Sequence, residues 1–269
     1  MKLRRVVGWI AVAIPLAAIL ALAVGYWLSD NDCGKAATPG MPMKAIVYCD
    51  YGTADELRLE DVEKPVPGDD ELLVRVHAAG VNPLDWHYMR GTPYLMRLSS
   101  GLRKPQDTRL GVDYAGTVEA VGRNVTRFKP DDQVFGGRSG ALAQYVVTKQ
   151  DGAVALKPAN VSFEQAGAVA IAATTALQGL RDAGRLEAGD KVLINGASGG
   201  VGTFAVQIAK SMGAEVTAVC STRNVELVRS LGADHVVDYT RDDYTSVDVR
   251  YDVILDNVGN RSLAENRRV

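Results

Sequence analysis

A glycine-rich loop in the second half of the chain has the residue types and spacing of a phosphate-binding device. An apolar, strand-like run over 191–195 leads into the loop, and a helix pattern follows it. Glycines at the first, fourth and seventh loop positions permit a tight turn and close approach of the backbone, while free N–H groups at a helix start attract an anion. The spacing predicts that the diphosphate of a dinucleotide binds Gly196, Ala197, Ser198, Gly199, Gly200, Val201 and Gly202.

The end of the following strand indicates which dinucleotide is bound. NAD sites usually carry an acidic residue about 20 positions beyond the first glycine, yet no Asp or Glu lies between Val216 and Asn224. Ser221 and Arg223 can instead donate hydrogen bonds to a 2′-phosphate. We therefore predict NADPH (NADP) as the cofactor, with Ser221 and Arg223 in its site. The alternative is that Arg223 is a solvated loop residue beside a helix cap at Asn224.

The elements around this loop alternate between strand and helix patterns. Helices are predicted over 201–212 and 225–231, and strands over 215–220, 235–238 and 252–256. This alternation is typical of a doubly wound parallel (Rossmann) sheet. Such a sheet has six strands, whereas the chain stops at residue 269 within a helix predicted over 262–268. We therefore expect a Rossmann domain that is incomplete at the C-terminus, from a truncated reading frame.

The region before the Rossmann pattern consists mostly of strands. They are predicted over 44–48, 71–78, 116–121, 133–135 and 143–148, and an alanine-rich helix over 163–180 follows. The predicted fold class is α/β, with a small β domain over 43–157 and the Rossmann domain over 158–269.

The N-terminus has a nearly unbroken apolar run over 6–28, preceded by Lys2, Arg4 and Arg5. This length covers the roughly 20 residues that a helix needs to cross a bilayer. We predict a single-pass transmembrane anchor over 1–30, a membrane location and a polar linker over 31–42; a cleaved signal peptide is the alternative. The positive-inside rule places the main domain outside, where NADPH is not expected, and the sequence does not resolve this conflict.

The composition and net charge limit the classes of molecule that the chain could bind. The chain of 269 residues has 47% hydrophobic residues and a formal net charge of −2, so it can bury a core and has no basic patch for nucleic acid. The three cysteines, Cys33, Cys49 and Cys220, are too few and dispersed for a disulfide framework, which favours reduced thiols.

Three motifs together carry a family resemblance. They are the loop 196–202, the run Gly-Val-Asp-Tyr-Ala-Gly-Thr-Val at 111–118 and the run Ala-Gly-Val-Asn-Pro-Leu-Asp at 79–85. With these, the chain resembles the medium-chain dehydrogenase/reductase superfamily, most closely its zinc-free quinone oxidoreductase-like members. The resemblance implies a GroES-like β domain before the Rossmann domain.

The resemblance also implies the absence of a catalytic zinc. Zinc-dependent members have Cys where this chain has Asn82, and Gly-His-Glu where it has Gly111, Val112 and Asp113. Such a zinc needs about three protein ligands, so no metal site is predicted.

The catalytic candidates come from the Asn-x-x-Asp-x-Tyr pattern of the quinone oxidoreductase-like members. It reads here as Asn82, Asp85 and, in the tyrosine position, His87, with Tyr88 adjacent. Asn82 would orient the substrate carbonyl, and His87 or Tyr88 would supply a proton. The alternative is that Asn82 and Pro83 form only a turn, with Asp85 as a helix cap.

Further cofactor residues follow from the resemblance: Thr175 beside the nicotinamide, and Asn257 with Val258 at a strand end. The implied activity is hydride transfer from NADPH to a small-molecule quinone, enone or related carbonyl. The alternatives are an enoyl-thioester reductase, an alcohol dehydrogenase-like enzyme and a non-catalytic membrane-anchored fragment. A homodimer is possible for a full-length protein.

Overall fold

The chain forms two compact units, which divide between Ala170 and Ile171. The structure, a computed structural model, describes Ile14, Leu20, residues 23–27, Asp30, Asn31, Cys33, 41–246 and 248–269. Each unit has its own apolar core.

The first unit is built on a five-stranded antiparallel sheet in the order β6-β3-β4-β5-β7. A separate two-stranded ladder joins β1 and β2. The apolar side chains of the sheet pack into a core that includes Leu72, Val74, Val118 and Val134. The seven strands are β1 (Pro42–Val47), β2 (Arg58–Glu63), β3 (Glu71–Gly80), β4 (Asp113–Val121), β5 (Gln133–Gly137), β6 (Tyr145–Lys149) and β7 (Val154–Leu156).

Short helices connect these strands. Helix α1 (Pro83–Arg90) starts with proline, whose fixed φ suits a first helical position, and ends at Gly91, where φ is 59°. The other helices of this unit are α2 (Arg97–Ser100) and α3 (Phe163–Ala166), and 3₁₀ turns span Ala54–Glu56 and Tyr94–Met96.

The second unit is a four-stranded parallel sheet in the order β10-β9-β8-β11. Counted within the unit, this is the order 3-2-1-4 of a Rossmann sheet, as the sequence predicts. The strands are β8 (Lys191–Asn195), β9 (Glu215–Cys220), β10 (His235–Asp238) and β11 (Val253–Asp256). The helices are α4 (Ala170–Leu177), which begins at the last residue of the first unit, α5 (Gly200–Ser211), α6 (Val225–Ser230) and α7 (Leu263–Asn266), and a π-helical stretch covers Gln178–Ala183.

The alanine-rich helix predicted over 163–180 is broken in the structure. Helix α3 ends at Gly167, whose N–H is bonded to the Phe163 carbonyl, and α4 begins three residues later. A Cβ at Gly167 would lie 3.0 Å from the Ala78 carbonyl oxygen of β3. The close approach to β3 therefore accompanies the break.

The transmembrane anchor is the main correction to the predicted fold class and location. A bilayer crossing needs about 20 apolar residues in one helix. Within the part of the chain that the structure describes, no helix is both long and apolar enough to cross a membrane. The described helical residues of the run over 6–28 are Ile14, Leu20 and 23–27. Most of the predicted anchor, and residues 32 and 34–40 of the predicted linker, lie outside the described residues. The predicted membrane helix and membrane location are therefore not supported.

The cysteines also differ from the expectation. Cys33 and Cys49 form a disulfide, whereas Cys220 is a free, buried thiol. Asn31, close to Cys33, donates from Nδ2 to the carbonyl oxygens of Cys49 (2.7 Å) and Pro105 (3.1 Å). The prediction of three reduced thiols is wrong because it did not foresee that Asn31 and Cys33 lie against the first unit.

We expect the disulfide to stabilise the folded chain by restricting the unfolded one. Its cysteines are 16 residues apart, and a loop of this size corresponds to about 3 kcal/mol. Cys33→Ser should therefore lower the free energy of unfolding by about that amount in urea denaturation. A reducing agent should bring the original protein to the level of the variant and leave the variant unchanged. Equal stability of the oxidised and reduced protein would contradict the prediction.

Candidate active site

The glycine-rich loop turns sharply at the end of β8. Gly196 has a φ of 77°, a conformation that glycine adopts readily. A Cβ at Gly202 would overlap the Gly196 carbonyl oxygen and lie 2.6 Å from the Cα of Ala197, so only glycine allows this approach of α5 to the loop. The predicted turn and close packing are thus both present.

The start of α5 offers backbone donors. The Thr203 N–H bonds to the Gly199 carbonyl oxygen at 2.9 Å and forms the first helical hydrogen bond of α5. The N–H groups of Gly200, Val201 and Gly202 precede this bond, and such groups at a helix start attract anions. A Cβ at Gly200 would meet no described atom within 4 Å, so the space beside the loop is open. The loop therefore fits the diphosphate that the sequence predicts there.

Asn224 connects this loop to the end of β9. Its Nδ2 donates to the hydroxyl oxygens of Ser198 (3.0 Å) and Ser221 (3.1 Å). The structure thus brings the predicted residues Ser198 and Ser221 together through a third residue that the sequence analysis treated only as a helix cap. No local signal marks this role, because Asn224 and Ser198 are 26 positions apart.

Arg223 is exposed in the 3₁₀ turn Thr222–Asn224. In the described part of the chain it forms no ion pair. The adjacent Thr222 hydroxyl donates to the Asp238 carboxylate at 2.6 Å, and this bond is the largest influence that lowers the pKa of Asp238. The Arg223 guanidinium and the Asp238 carboxylate, which is bonded to Thr222, therefore belong to residues near the end of β9.

Asn257 and Val258 lie against the glycine-rich loop. The Asn257 N–H donates to the Asn195 carbonyl oxygen at 3.2 Å, and a Cβ at Gly196 would lie 2.8 Å from Cγ2 of Val258. Both residues are exposed. The structure thus brings these two predicted residues together with the loop.

Asp256 and Asn195 hold this strand end in place, and the sequence analysis missed both. Asn195, which is 3% exposed, donates from Nδ2 to the Asp256 carboxylate at 2.9 Å. The same carboxylate accepts the N–H groups of Val258 (3.0 Å) and Gly259 (2.9 Å). Burial alone would raise the pKa of Asp256, but these hydrogen bonds outweigh it and lower the pKa.

Thr175 lies exposed on α4, within the same unit as the loop. Its predicted position beside a nicotinamide stays a prediction.

The catalytic candidates of the first unit surround the start of α1. The Asp85 carboxylate accepts the Asn82 N–H at 2.7 Å, and the Asn82 amide donates from Nδ2 to the Asp113 carboxylate at 3.2 Å. Asp85 and Asp113 are almost fully buried, with 3% and 1% exposure. The two carboxylates therefore fix both the backbone and the side chain of Asn82.

The structure separates His87 from Tyr88. Nδ1 of His87 lies 2.7 Å from the Thr92 carbonyl oxygen. A carbonyl oxygen can only accept, so Nδ1 carries the proton, and Nε2 of the neutral ring is an acceptor. Tyr88 instead lines a cavity together with Tyr48. The two neighbouring side chains thus have different surroundings.

The described residues contain no group of three or more His, Cys, Asp or Glu side chains that could hold a metal ion. At the two positions singled out by the resemblance, Asn82 donates to Asp113, and Val112 is a buried apolar side chain. Neither side chain is an ordinary zinc ligand.

Comparisons with known proteins match both units. Residues 68–159 match a family model described as alcohol dehydrogenase GroES-like domain, and residues 200–267 match one described as zinc-binding dehydrogenase. A tomato (Solanum lycopersicum) 2-methylene-furan-3-one reductase is 37% identical over 81% of this chain and 57% of its own length. An Arabidopsis thaliana chloroplastic NADPH-dependent alkenal/one oxidoreductase is 36% identical over 85% of this chain and 60% of its own length.

The structure of a quinone oxidoreductase from Coxiella burnetii superposes with a TM-score of 0.74 and 32% identity. The match covers 81% of this chain and 69% of that chain. The chain therefore spans about three fifths of the length of the two plant relatives and just over two thirds of the bacterial chain.

The buried carboxylate beside Asn82 predicts a pH dependence of stability. Burial, with help from the nearby Asp113 charge, raises the pKa of Asp85 above its ordinary value of 3.8. The folded protein then holds this proton more tightly than the unfolded chain, so Asp85 contributes stability that is lost as the pH rises through the raised pKa. Urea denaturation of the original protein and of Asp85→Asn should show that the advantage of the original shrinks from about pH 4 to pH 7.

The exposed carboxylate of Asp70 provides the matched control, as Asp70→Asn. An advantage of the original protein over Asp85→Asn that is constant or grows with pH would contradict the prediction.

Proposed function

Because the chain belongs to the medium-chain dehydrogenase/reductase superfamily, we propose that it is an NADPH-dependent oxidoreductase that reduces a quinone, an enone or a related carbonyl without zinc. The observation that carries the proposal is the row of N–H groups at the start of α5, in a loop whose Ser198 shares the Asn224 amide with Ser221, two positions before Arg223. This arrangement matches an anionic dinucleotide with an additional phosphate.

The residues that would hold the cofactor form three groups, each of which would contact a different part of the dinucleotide. The N–H groups of 200–202 would bind the diphosphate, and Ser221 with Arg223 would bind the 2′-phosphate. Thr175, Asn257 and Val258 would lie towards the nicotinamide. The bound dinucleotide would supply a hydride, and the protein would supply orientation and a proton.

The substrate oxygen would be held by the first unit. One N–H of the Asn82 amide is engaged by Asp113, so the second is available for a carbonyl oxygen. His87 would donate a proton from Nε2 in its doubly protonated form, because its Nδ1 proton is already bonded to Thr92. The substrate would gain a hydride on carbon and a proton on its oxygen or α-carbon, and NADPH would leave as NADP⁺, so that electrons and protons balance.

The names of the relatives support an enone or quinone as the substrate class. The tomato relative is a 2-methylene-furan-3-one reductase, and the Arabidopsis relative is an alkenal/one oxidoreductase. The Coxiella burnetii protein is a quinone oxidoreductase. A conjugated carbonyl is common to these three substrate classes.

The direct test is turnover by the full chain. NADPH absorbance should fall when 1,4-benzoquinone or a small enone is added. Gly202→Ala should abolish this turnover, since a Cβ there overlaps the Gly196 carbonyl oxygen. A folded protein that oxidises no NADPH with either substrate would overturn the proposed activity.

Arg223 tests the choice of cofactor separately. Loss of charge-assisted hydrogen bonds should make Arg223→Glu bind NADPH about 10- to 100-fold more weakly in a fluorescence titration. NADH has no 2′-phosphate, so its affinity should change by less than about threefold.

The control is Arg181→Glu, the same charge change at an exposed arginine whose partner is Asp182. Its affinity for NADPH should remain that of the original protein. Equal NADPH affinity of Arg223→Glu and the control would show that Arg223 does not bind the 2′-phosphate.

A further inference from the structure

A cavity in the first unit lies between the end of β1, helices α1 and α2, and the loop that precedes β4. Its volume is about 280 Å³, near the lower end of the range of roughly 300–1,000 Å³ for small-molecule sites. The side chains that line it include Tyr48, Tyr88, Ser99, Gln106, Asp107 and Arg109. Of the four catalytic candidates, Tyr88 lines it, whereas Asn82, Asp85 and His87 do not.

Tyr48 is the feature that distinguishes this cavity from a packing defect. Its side chain is 4% exposed, and its N–H is anchored to the Thr108 carbonyl oxygen at 2.9 Å. Tyr48 lines the cavity, and its hydroxyl forms no hydrogen bond with any described residue. Burial and the Asp107 charge raise the pKa of Tyr48, so the phenol remains a protonated donor. A ligand oxygen in the cavity would provide the acceptor that the protein does not.

The charges in the wall indicate the kind of ligand. Asp107 and Arg109 have opposite charges, with Oδ1 and Nε 3.9 Å apart. A charged ligand would meet one like charge, whereas a neutral ligand with hydroxyl groups can bond to both side chains. The rings of Tyr48 and Tyr88 and the side chain of Leu110 provide apolar surface beside these polar groups.

The rim is fixed by contacts on both sides. The Gln106 N–H donates to the Ser100 carbonyl oxygen at 2.8 Å, and the Tyr51 hydroxyl donates to the Gly101 carbonyl oxygen at 2.7 Å. Asn31 joins Cys49, the neighbour of Tyr48, to Pro105, the neighbour of Gln106. The cavity is therefore a preformed space with walls held by hydrogen bonds.

We propose that this cavity is a binding site for a small neutral molecule with a ring-sized apolar body and hydroxyl or carbonyl oxygens, such as a phenol, held by the Tyr48 hydroxyl. The proposal does not depend on hydride transfer or on the bound dinucleotide.

The test uses the full chain without NADPH and three ring-sized probes: resorcinol, benzoate and toluene. Calorimetry or ligand-observed NMR should show saturable binding of resorcinol. Benzoate, which has the same ring with a negative charge, and toluene, which has no oxygen, should each bind about tenfold more weakly or not at all.

Two variants locate the site. Tyr48→Phe removes one hydroxyl and should raise the Kd of resorcinol about three- to tenfold. Ser99→Trp fills the exposed rim of the cavity and should abolish saturable binding, with the fold verified by circular dichroism. The control is Tyr94→Phe at a tyrosine that is 73% exposed, which should leave the Kd within about twofold.

Three results would overturn the proposal. The first is no saturable binding of resorcinol, and the second is a Kd within about twofold of the original in both Tyr48→Phe and Ser99→Trp. The third is a resorcinol affinity that falls in Asn82→Ala but not in Tyr48→Phe, which would place the probe at the proposed catalytic residues. If Tyr48→Phe does not fold, the resorcinol Kd of Ser99→Trp alone tests the proposal. NADPH turnover is measured separately, so failure of this site and failure of the proposed activity are distinguishable.

Discussion

The close packing of Gly202 against the Gly196 carbonyl and the Ala197 backbone is the constraint on which the second unit depends. It brings the first turn of α5 against the end of β8, with open space beside Gly200. Any side chain at residue 202 would push the helix away from the loop. Ser198, the residue after Ala197, accepts a hydrogen bond from Asn224.

Side-chain amides connect the loop to the strand ends on both sides of β8. Asn224 joins it to the end of β9 through Ser198 and Ser221. Asn195 joins β8 to Asp256, whose carboxylate accepts the backbone N–H groups of Val258 and Gly259. Each contact satisfies a polar group that would otherwise be costly to bury. The loop is therefore bordered by hydrogen-bonded side chains towards β9 and by hydrogen-bonded backbone after β11, as a preorganised anion site requires.

The features predicted correctly from the sequence are those set by local pattern. The glycine loop, the strands of the parallel sheet and helix α5 follow from glycine spacing and apolar periodicity over short windows. The sequence could not reveal contacts between distant residues. Asn195 and Asp256 are 61 positions apart, and the disulfide between Cys33 and Cys49 accompanies hydrogen bonds from Asn31 to the carbonyl oxygens of Cys49 and Pro105. The break at Gly167 likewise accompanies a close approach to the Ala78 carbonyl of a distant strand. The prediction of a membrane helix was wrong because it rested only on the length of the apolar run.

The surroundings of Asn82 favour a positioning role over a simple turn. An Asn-Pro turn with a helix cap is satisfied by the bond from the Asn82 N–H to the Asp85 carboxylate and by the bond from the Asp85 N–H to the Asn82 carbonyl oxygen. The structure adds a second buried carboxylate, Asp113, whose bond to the Asn82 side chain does nothing for the turn. Two carboxylates in one buried place raise each other's free energy, and burial already raises the pKa of Asp85. Such a cost is consistent with a need to hold the Asn82 amide in one orientation, which a substrate carbonyl would require.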